Sequence, residues 1–375
     1  MTTDTQPVIE TVEDIGRLVR AGFTAWGELG DVRASRDGDL LMFSYTPRAQ
    51  YTARWNAFER LSRGLILHTP SGQVVARPFD KFFNWGEGGR TSDAPITSVM
   101  EKVDGSLIII FHHDGRWRAA TRGAFHSDQA QWAQRRLDAL PALAEVPPHW
   151  TLLAEAVYPE NRIVVDYGGR DQLPLLAMRD RRTGDYADLP HLRRTAAALG
   201  LPVPATFDHL DTLDGIHDAL RGLSANEEGF VALFADGQRF KFKSSAYLEL
   251  HKLVFGLSFR AAVEAVRDGQ VAAIQAIVPE ELRAEFDGWV AAVEGRLAEE
   301  RAALAAAMAQ ATAAGLLDAA GRAPDRKAFA QWAAARHPER RVLLFAALDG
   351  KELTPILFRV AFKDVAGGGG EGGMK

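Results

Sequence analysis

No cysteine occurs in the 375 residues, which excludes disulfides, thiol nucleophiles and cysteine-bound metal from any account of this chain. Apolar runs of membrane-spanning length are also missing, since a helix needs roughly 20 such residues to cross a bilayer. Met1-Thr2-Thr3-Asp4 lacks the basic-then-apolar layout of a secretory signal, so a soluble cytoplasmic protein is expected. Neither sign of charge dominates. A formal net charge of −5 argues against coating nucleic acid by bulk electrostatics, although a local basic groove remains compatible with it. Arg135-Arg136, Arg179 with Arg181 and Arg182, Arg193-Arg194 and the arginines of 336–341 are candidate clusters, and each also reads as an ordinary solvated face. Familiar catalytic signatures are absent too: no glycine-rich phosphate loop ending in Gly-Lys-Ser/Thr, no zinc-protease helix and no serine nucleophile elbow. The ten histidines are scattered, and the adjacent His112-His113 pair is expected at an exposed hairpin turn rather than in a metal site.

What is present suits a soluble globular protein, with 47% hydrophobic and 25% charged residues. The length exceeds what one core usually holds, so two or three domains are expected. Residues 1–254 read as strand-rich α+β. Three hairpins are predicted: 64–67 with 74–77 across Pro70-Ser71-Gly72, 107–113 with 116–122 across Asp114-Gly115, and 230–235 with 238–243 across Asp236-Gly237. Helices are predicted near 55–61, 127–140, 191–199 and 213–220. Residues 255–365 turn to alanine-rich helix, with Leu282, Phe286, Trp289, Val293, Leu297, Leu304 and Met308 forming one apolar stripe. The glycine-rich segment 366–375 is expected to be a disordered tail.

The candidate chemistry centres on Glu101-Lys102-Val103-Asp104-Gly105-Ser106. A lysine at a strand end, beside a glycine that lets backbone approach a ligand, can serve as a nucleophile. Pairing counted back from Asp236-Gly237 sets Ala232 opposite Lys241 and Phe230 opposite Lys243. Alternation then places Lys241, Lys243 and Glu228 on one face, with Phe240 and Phe242 in the core. The same count from Asp114-Gly115 sets Leu107 opposite Arg122 and delivers Arg122 close to Lys102. Glu155, inside the apolar run Leu152-Leu153-Ala154-Glu155-Ala156-Val157, needs a cation, a hydroxyl or a metal as partner. A lysine ringed by Arg122, Lys241, Lys243, Arg63 and Lys81 would lose its proton more readily, and the same cations would neutralise a polyphosphate.

Over about residues 35–254 the chain resembles the covalent nucleotidyltransferases, the superfamily of ATP-dependent ligases and capping enzymes, and within them the RNA ligases of the phage T4 RNA ligase 1 type. The motifs that carry the likeness stand in order. They are Phe43-Ser44-Tyr45, Ser62-Arg63-Gly64, the run from Arg77 through Lys81-Phe82-Phe83-Asn84, Lys102-Val103-Asp104-Gly105-Ser106, Thr121-Arg122-Gly123, Glu155 with Pro159-Glu160-Asn161-Arg162, Glu228-Gly229-Phe230-Val231, and Lys241-Phe242-Lys243-Ser244 followed by Tyr247 and His251. Arg122 stands where the phage enzyme has lysine, and the C-terminal helical part matches less well, an early acidic pair there being replaced near Val271-Ala272-Ala273.

The resemblance implies an α+β nucleotidyltransferase domain (ATP-grasp-like, of antiparallel sheets with flanking helices) over 1–254 and an all-α domain over 255–365. It implies that Lys102 attacks the α-phosphate of ATP, carries AMP as a phosphoramidate, and passes it to a 5′-phosphate that a 3′-hydroxyl then seals. Lys102, Glu155, Glu228, Lys241 and Lys243 are its catalytic residues. Tyr45, Arg63, Lys81, Phe83, Gly105, Arg122 and Tyr247 would bind the nucleotide, with Mg²⁺ near Glu155 and Glu228. RNA with 5′-phosphate and 3′-hydroxyl ends is the implied substrate. Broken tRNA and an end-healing kinase-phosphatase partner are candidates offered by analogy. A DNA ligase, a capping guanylyltransferase and an inactive RNA-end-binding module are the alternatives. The first two usually append a β-barrel, against the helical C-terminus read here.

Overall fold

The computed structural model describes residues 7–362 apart from Ala53, Phe255, Pro279 and Ala319, so the expected tail at 366–375 lies outside the described residues. Two compact units divide it, 1–251 and 252–375. The first contains twelve strands: β1 (Val32–Asp37), β2 (Leu40–Tyr45), β3 (Arg63–His68), β4 (Val74–Ala76), β5 (Phe83–Asn84), β6 (Ile96–Glu101), β7 (Ser106–His113), β8 (Arg116–Thr121), β9 (Trp150–Ala156), β10 (Leu175–Asp180), β11 (Gly229–Phe234) and β12 (Arg239–Lys243). They form three four-stranded sheets in the orders β1-β2-β3-β4, β10-β9-β7-β8 and β5-β12-β11-β6. Every pairing is antiparallel except the short parallel β12–β5 contact.

The run Ile108-Ile109-Ile110-Phe111 shows why β7 is central. Successive side chains leave a strand on opposite faces. Ile109 and Phe111 pack with Leu40, Met42 and Ile66 of the first sheet. Ile108 and Ile110 pack instead with Ala133 and Leu137 of helix Asp128–Leu137 and Leu192 and Ala196 of helix Leu189–Leu199. A strand buried on both faces carries no polar alternation, which is what the sequence has there.

Both Asp-Gly hairpins form, with different turns. Asp114 (φ 49°) and Gly115 (φ 75°) are both left-handed, the signature of a two-residue type I′ loop. Register follows as predicted, with Ile108 opposite Thr121 and His113 opposite Arg116. At the second turn only Gly237 is left-handed (φ 83°). Asp236 accepts from Ser92 Oγ at 2.6 Å and from Gln238 N at 2.9 Å, and Phe234 N reaches Gln238 O at 2.9 Å around a three-residue loop. The register therefore moves by one from the prediction: Val231, not Ala232, faces Lys241, and Gly229, not Phe230, faces Lys243. Phe240 and Phe242 are buried as expected, because alternation along one strand does not depend on its partner's register.

The predicted helices appear as Ala57–Leu61, Asp128–Leu137, Leu189–Leu199 and Leu213–Gly222. Trp55 lies ahead of the first, which starts after the Asn56 cap. In the second unit helices Phe259–Asp268 and Val271–Ile277 precede the long Glu280–Ala313, and Arg326–Arg336, Arg341–Leu348 and Thr354–Ala361 follow it. Its core joins Val293, Leu297, Leu304, Ala307 and Ala311 of the long helix to Phe329, Leu343, Leu344 and Phe358. Trp289 and Met308, expected in the stripe, are only half-buried, while Val290 is buried. No helix of the described residues is long and apolar enough to cross a membrane.

Candidate active site

Lys102 follows the last residue of β6, and its backbone N–H donates to Gly229 O at 2.8 Å, continuing the β6–β11 pairing. Its Nζ lies 2.6 Å from Glu228 Oε2, and Lys243 Nζ lies 3.3 Å from Glu228 Oε1. Glu228 is 4% exposed. One buried carboxylate thus anchors two ammonium groups, a charge-assisted arrangement stronger than neutral hydrogen bonds. The expectation of a lysine ringed by cations needs correction to this extent: the structure sets a carboxylate directly against Lys102.

The observed register places Glu228 opposite Ser244, on the Phe230–Phe242 side if alternation continued. It does not continue. Gly229 adopts φ 141°, and an ideal Cβ there would collide with Phe242 O. A backbone state open to glycine breaks the alternation and lets Glu228 meet the lysines.

Glu155 stands on β9 opposite Leu107, one pair beyond Ser106 with Ala156. Gly105 makes this closeness possible, since a Cβ there would come within 3.0 Å of Glu155 Cγ and crowd Ala156 O. Part of Glu155 can be reached by solvent, yet protein atoms surround its carboxyl. Burial pushes its pKa up to about 8, Lys102 and Arg63 pull it down, and Glu228 and Asp104 push it up. Among side chains with no hydrogen-bond partner, Arg63 Nη1 is buried, a costly state that an incoming anion would relieve.

Asp104 locks the loop that carries Lys102. Its Oδ2 accepts from Val164 N and Val165 N at 2.9 and 2.8 Å, its Oδ1 accepts from Tyr247 Oη at 3.0 Å, and its own N–H donates to Tyr167 Oη at 2.8 Å. Tyr247 therefore braces the loop from behind, with Lys243 Nζ 5.7 Å from its ring centre. Asn161 braces the other side, accepting from Ser106 Oγ at 3.0 Å and Gln129 Nε2 at 3.2 Å and donating to Ala156 O at 2.7 Å.

The remaining predicted residues gather around an aromatic cluster of Tyr45, Trp55 and Phe83. Arg122 Nη1 donates to Tyr45 Oη at 2.9 Å, as the predicted register of its hairpin allows. Lys81 Nζ lies 4.5 Å from the Phe83 ring centre and 5.0 Å from that of Trp55, within cation–π range. Phe82 links this group to the lysine group, with Arg63 5.5 Å and Lys241 5.6 Å from its ring centre. Gly64 allows β3 to approach Arg122, whose Cα would stand 3.2 Å from a Cβ there.

Sequence reasoning missed Trp55, Arg90 (4.1 Å from the Phe83 ring centre) and Tyr167. It read Arg179 as part of a basic cluster or solvated face, whereas Arg179 is 5% exposed and pairs with Asp80 through Nη1 and Nη2, both at 3.0 Å, and with Pro78 O at 2.6 Å. Arg179 steadies the segment that ends in Lys81. No local pattern assigns these roles: Tyr167 and Arg179 act across 63 and 99 positions, and Arg90 meets Phe83 only once the intervening turn is folded.

Residues 61–247 match the profile of a family described as RNA ligase, the T4 type. Those residues belong to that family. A protein of Autographa californica nuclear polyhedrosis virus, named for both a polynucleotide kinase and an RNA ligase, is 29% identical over 249 residues, 56% of this chain and 34% of that one. A Thermovibrio ammonificans protein named as an RNA ligase is 30% identical over 234 residues, 58% of this chain and 59% of that one. The chain thus spans between about a third and three fifths of the length of these curated relatives. Among solved structures, an archaeal ATP-dependent RNA ligase aligns over 72% of this chain and 74% of that one, at 16% identity and a TM-score of 0.45.

Proposed function

We propose that the chain is an ATP-dependent RNA ligase and that its first unit carries the adenylyltransferase chemistry. The observation that carries this reading is the buried Glu228 holding Lys102 at 2.6 Å and Lys243 at 3.3 Å, beside Glu155, within the segment that belongs to the RNA ligase family. Lys102 Nζ attacks the ATP α-phosphorus. A P–N bond forms, the bond to the bridging oxygen breaks, and pyrophosphate leaves. Glu228 is the acceptor nearest the Lys102 proton, and Lys243 holds that carboxylate in place. Arg63, Lys241, Lys81 and Arg122 supply positive charge for the phosphates, and the unpartnered Arg63 Nη1 suits an anionic ligand. Phe83 and Tyr45 take the nucleoside, with Gly105 giving room at the loop and Tyr247 bracing it through Asp104.

A divalent ion such as Mg²⁺ takes oxygen ligands and would neutralise phosphate charge. The donor chemistry fits Glu155, a hard carboxylate whose burial makes a compensating cation favourable. Glu228 has both oxygens engaged by lysines, so it would join such an ion only by exchanging one of them.

The AMP then passes to the 5′-phosphate of an RNA and is displaced by a 3′-hydroxyl. We assign residues 1–254 to this domain and 255–365 to a helical domain that contributes RNA recognition. Breaks in tRNA, and cooperation with an end-healing kinase-phosphatase, are proposed by analogy alone. The test is incubation with Mg²⁺ and α-labelled ATP or GTP, followed by denaturing electrophoresis and peptide mapping. Label from ATP on Lys102, lost in Lys102→Ala, is expected. Label from GTP alone would replace the ligase by a capping enzyme, and persistent label on Lys102→Ala would sink the assignment.

A further inference from the structure

At the far end of β7 from Ser106, about 23 Å away at ~3.3 Å per residue, four side chains from three turns converge. Asp39 lies between β1 and β2, His68 ends β3, His113 ends β7, and Asp114 opens the β7–β8 turn. His68 Nε2 is 3.0 Å from Asp39 Oδ2, and His113 Nε2 is 3.1 Å from Asp39 Oδ1 and 3.3 Å from Asp114 Oδ2. The ligating atoms of Asp39, His113 and Asp114 all lie within 4.8 Å of one another. Contrary to the expectation of an exposed pair, the His113 side chain is only 12% exposed, while Asp39 at 41% leaves the group open to solvent.

We propose that Asp39, His68, His113 and Asp114 form a binding site for one divalent transition-metal ion of the zinc class, separate from the ligase centre. Zinc takes imidazole nitrogen and carboxylate oxygen at about 2.0–2.2 Å, which sets neighbouring ligands of a tetrahedron roughly 3.3–3.5 Å apart. The ligand atoms of Asp39, His113 and Asp114 stand at or just short of that spacing, whereas His68 meets the other Asp39 oxygen and must swing inward to complete the shell. Both imidazoles aim Nε2 at the shared carboxylate. His68 Nδ1 lies 2.8 Å from Ser71 Oγ, and a hydroxyl accepting from Nδ1–H leaves the Nε2 lone pair for a metal. Two imidazoles with carboxylates suit zinc, cobalt or nickel, whereas Mg²⁺ and Ca²⁺ prefer all-oxygen shells. The ion would tie the first sheet to the β7–β8 hairpin at a point where no chemistry of ligation occurs.

The experiment is calorimetric titration of the full chain, stripped with chelator, with Zn²⁺ and in parallel with Mg²⁺. Visible spectra with Co²⁺ and thermal unfolding with and without Zn²⁺ accompany it. One equivalent of Zn²⁺, four-coordinate cobalt bands and a raised Tm are expected. His68→Ala and His113→Ala should each weaken zinc at least tenfold, and Ser71→Ala roughly tenfold. His112→Ala, whose ring rests on Trp117, should bind as the unaltered chain does. Cooperative metal-free unfolding of each variant separates lost ligation from lost folding, and Asp39→Asn keeps the side-chain shape should an alanine variant fail to fold. Unchanged zinc affinity in both His68→Ala and His113→Ala would overturn the site, as would Mg²⁺ binding as tightly as Zn²⁺.

Discussion

Two hairpins of the first unit turn on the same dipeptide and differ in what their registers decide. In the β7–β8 hairpin both turn residues are left-handed, the strands pair as counted, and Arg122 arrives beside Tyr45. In the β11–β12 hairpin the Asp236 side chain is drawn to Ser92 and Gln238, the loop takes three residues, and every pair shifts by one. A one-residue slip normally moves a side chain to the wrong face. Here Gly229 breaks the alternation at the strand's start, and Glu228 still meets Lys102 and Lys243. The first hairpin delivers its cation by regular pairing; the second delivers its carboxylate by an irregularity.

That difference is breakable. Gly229→Ala puts a Cβ against Phe242 O at φ 141°. A strained position of this kind costs about 1–3 kcal/mol, and a misplacement of about 1 Å costs up to ~100-fold in rate. Lysine labelling by ATP should therefore fall by about two orders of magnitude in a variant that still unfolds cooperatively; full labelling would show that the kink does not place Glu228. Glu228→Gln keeps the shape and removes the charge. Exchanging charge-assisted for neutral bonds loses about 1–2 kcal/mol, so labelling should fall roughly tenfold by rate arithmetic, and no change would leave Lys102 positioned by other groups.

The turns themselves should matter only to stability. Gly115→Ala and Gly237→Ala meet nothing within 4 Å but impose φ 75° and 83° on a residue with a Cβ, a cost of about 1–2 kcal/mol each. Denaturant midpoints should drop comparably while labelling of the folded protein holds; a labelling loss in Gly237→Ala alone would tie the three-residue loop to the site.

A further effect is read through pH. Glu155, on the strand beside β7, has its pKa raised from 4.5 to about 8 by burial. In metal-free protein the folded state then holds a proton that the unfolded state has released, so stability declines as pH rises through that window. Asp180 is the opposite case, lowered from 3.8 to about 2, first by the Arg182 side chain. Its contribution is present above the unfolded value and is lost as pH falls through about 2. Glu155→Gln should flatten the loss on the alkaline side, and Asp180→Asn the loss on the acid side. A Tm profile unchanged by Glu155→Gln between pH 5 and 8 would mean its carboxyl is not held protonated.

Much of this arrangement was legible along the chain. The alternation that buries Phe240 and Phe242 while leaving Lys241 and Lys243 on the other face, the Arg122 register, and Gly105 beside Lys102 all follow from local periodicity and turn chemistry. The one-residue slip was not legible, because Ser92, 144 positions away, competes for the Asp236 side chain. Nor was His113, which reads as a loop residue until Asp39 and His68 are brought to it from other strands.

The sequence by itself determined the order of the motifs, the strand-rich first part and helical second part, and the identity of the lysine and the carboxylates around it. These depend on residue type and on periods of two and 3.6, which act between near neighbours. Only the tertiary structure decided that Glu228 is the partner of Lys102, that burial raises Glu155, and that Asp104, Arg179 and Tyr167 hold the surrounding loops. Charge pairing and desolvation depend on distance through space, and between residues 102 and 228 that distance is set by sheet pairing, not by the chain.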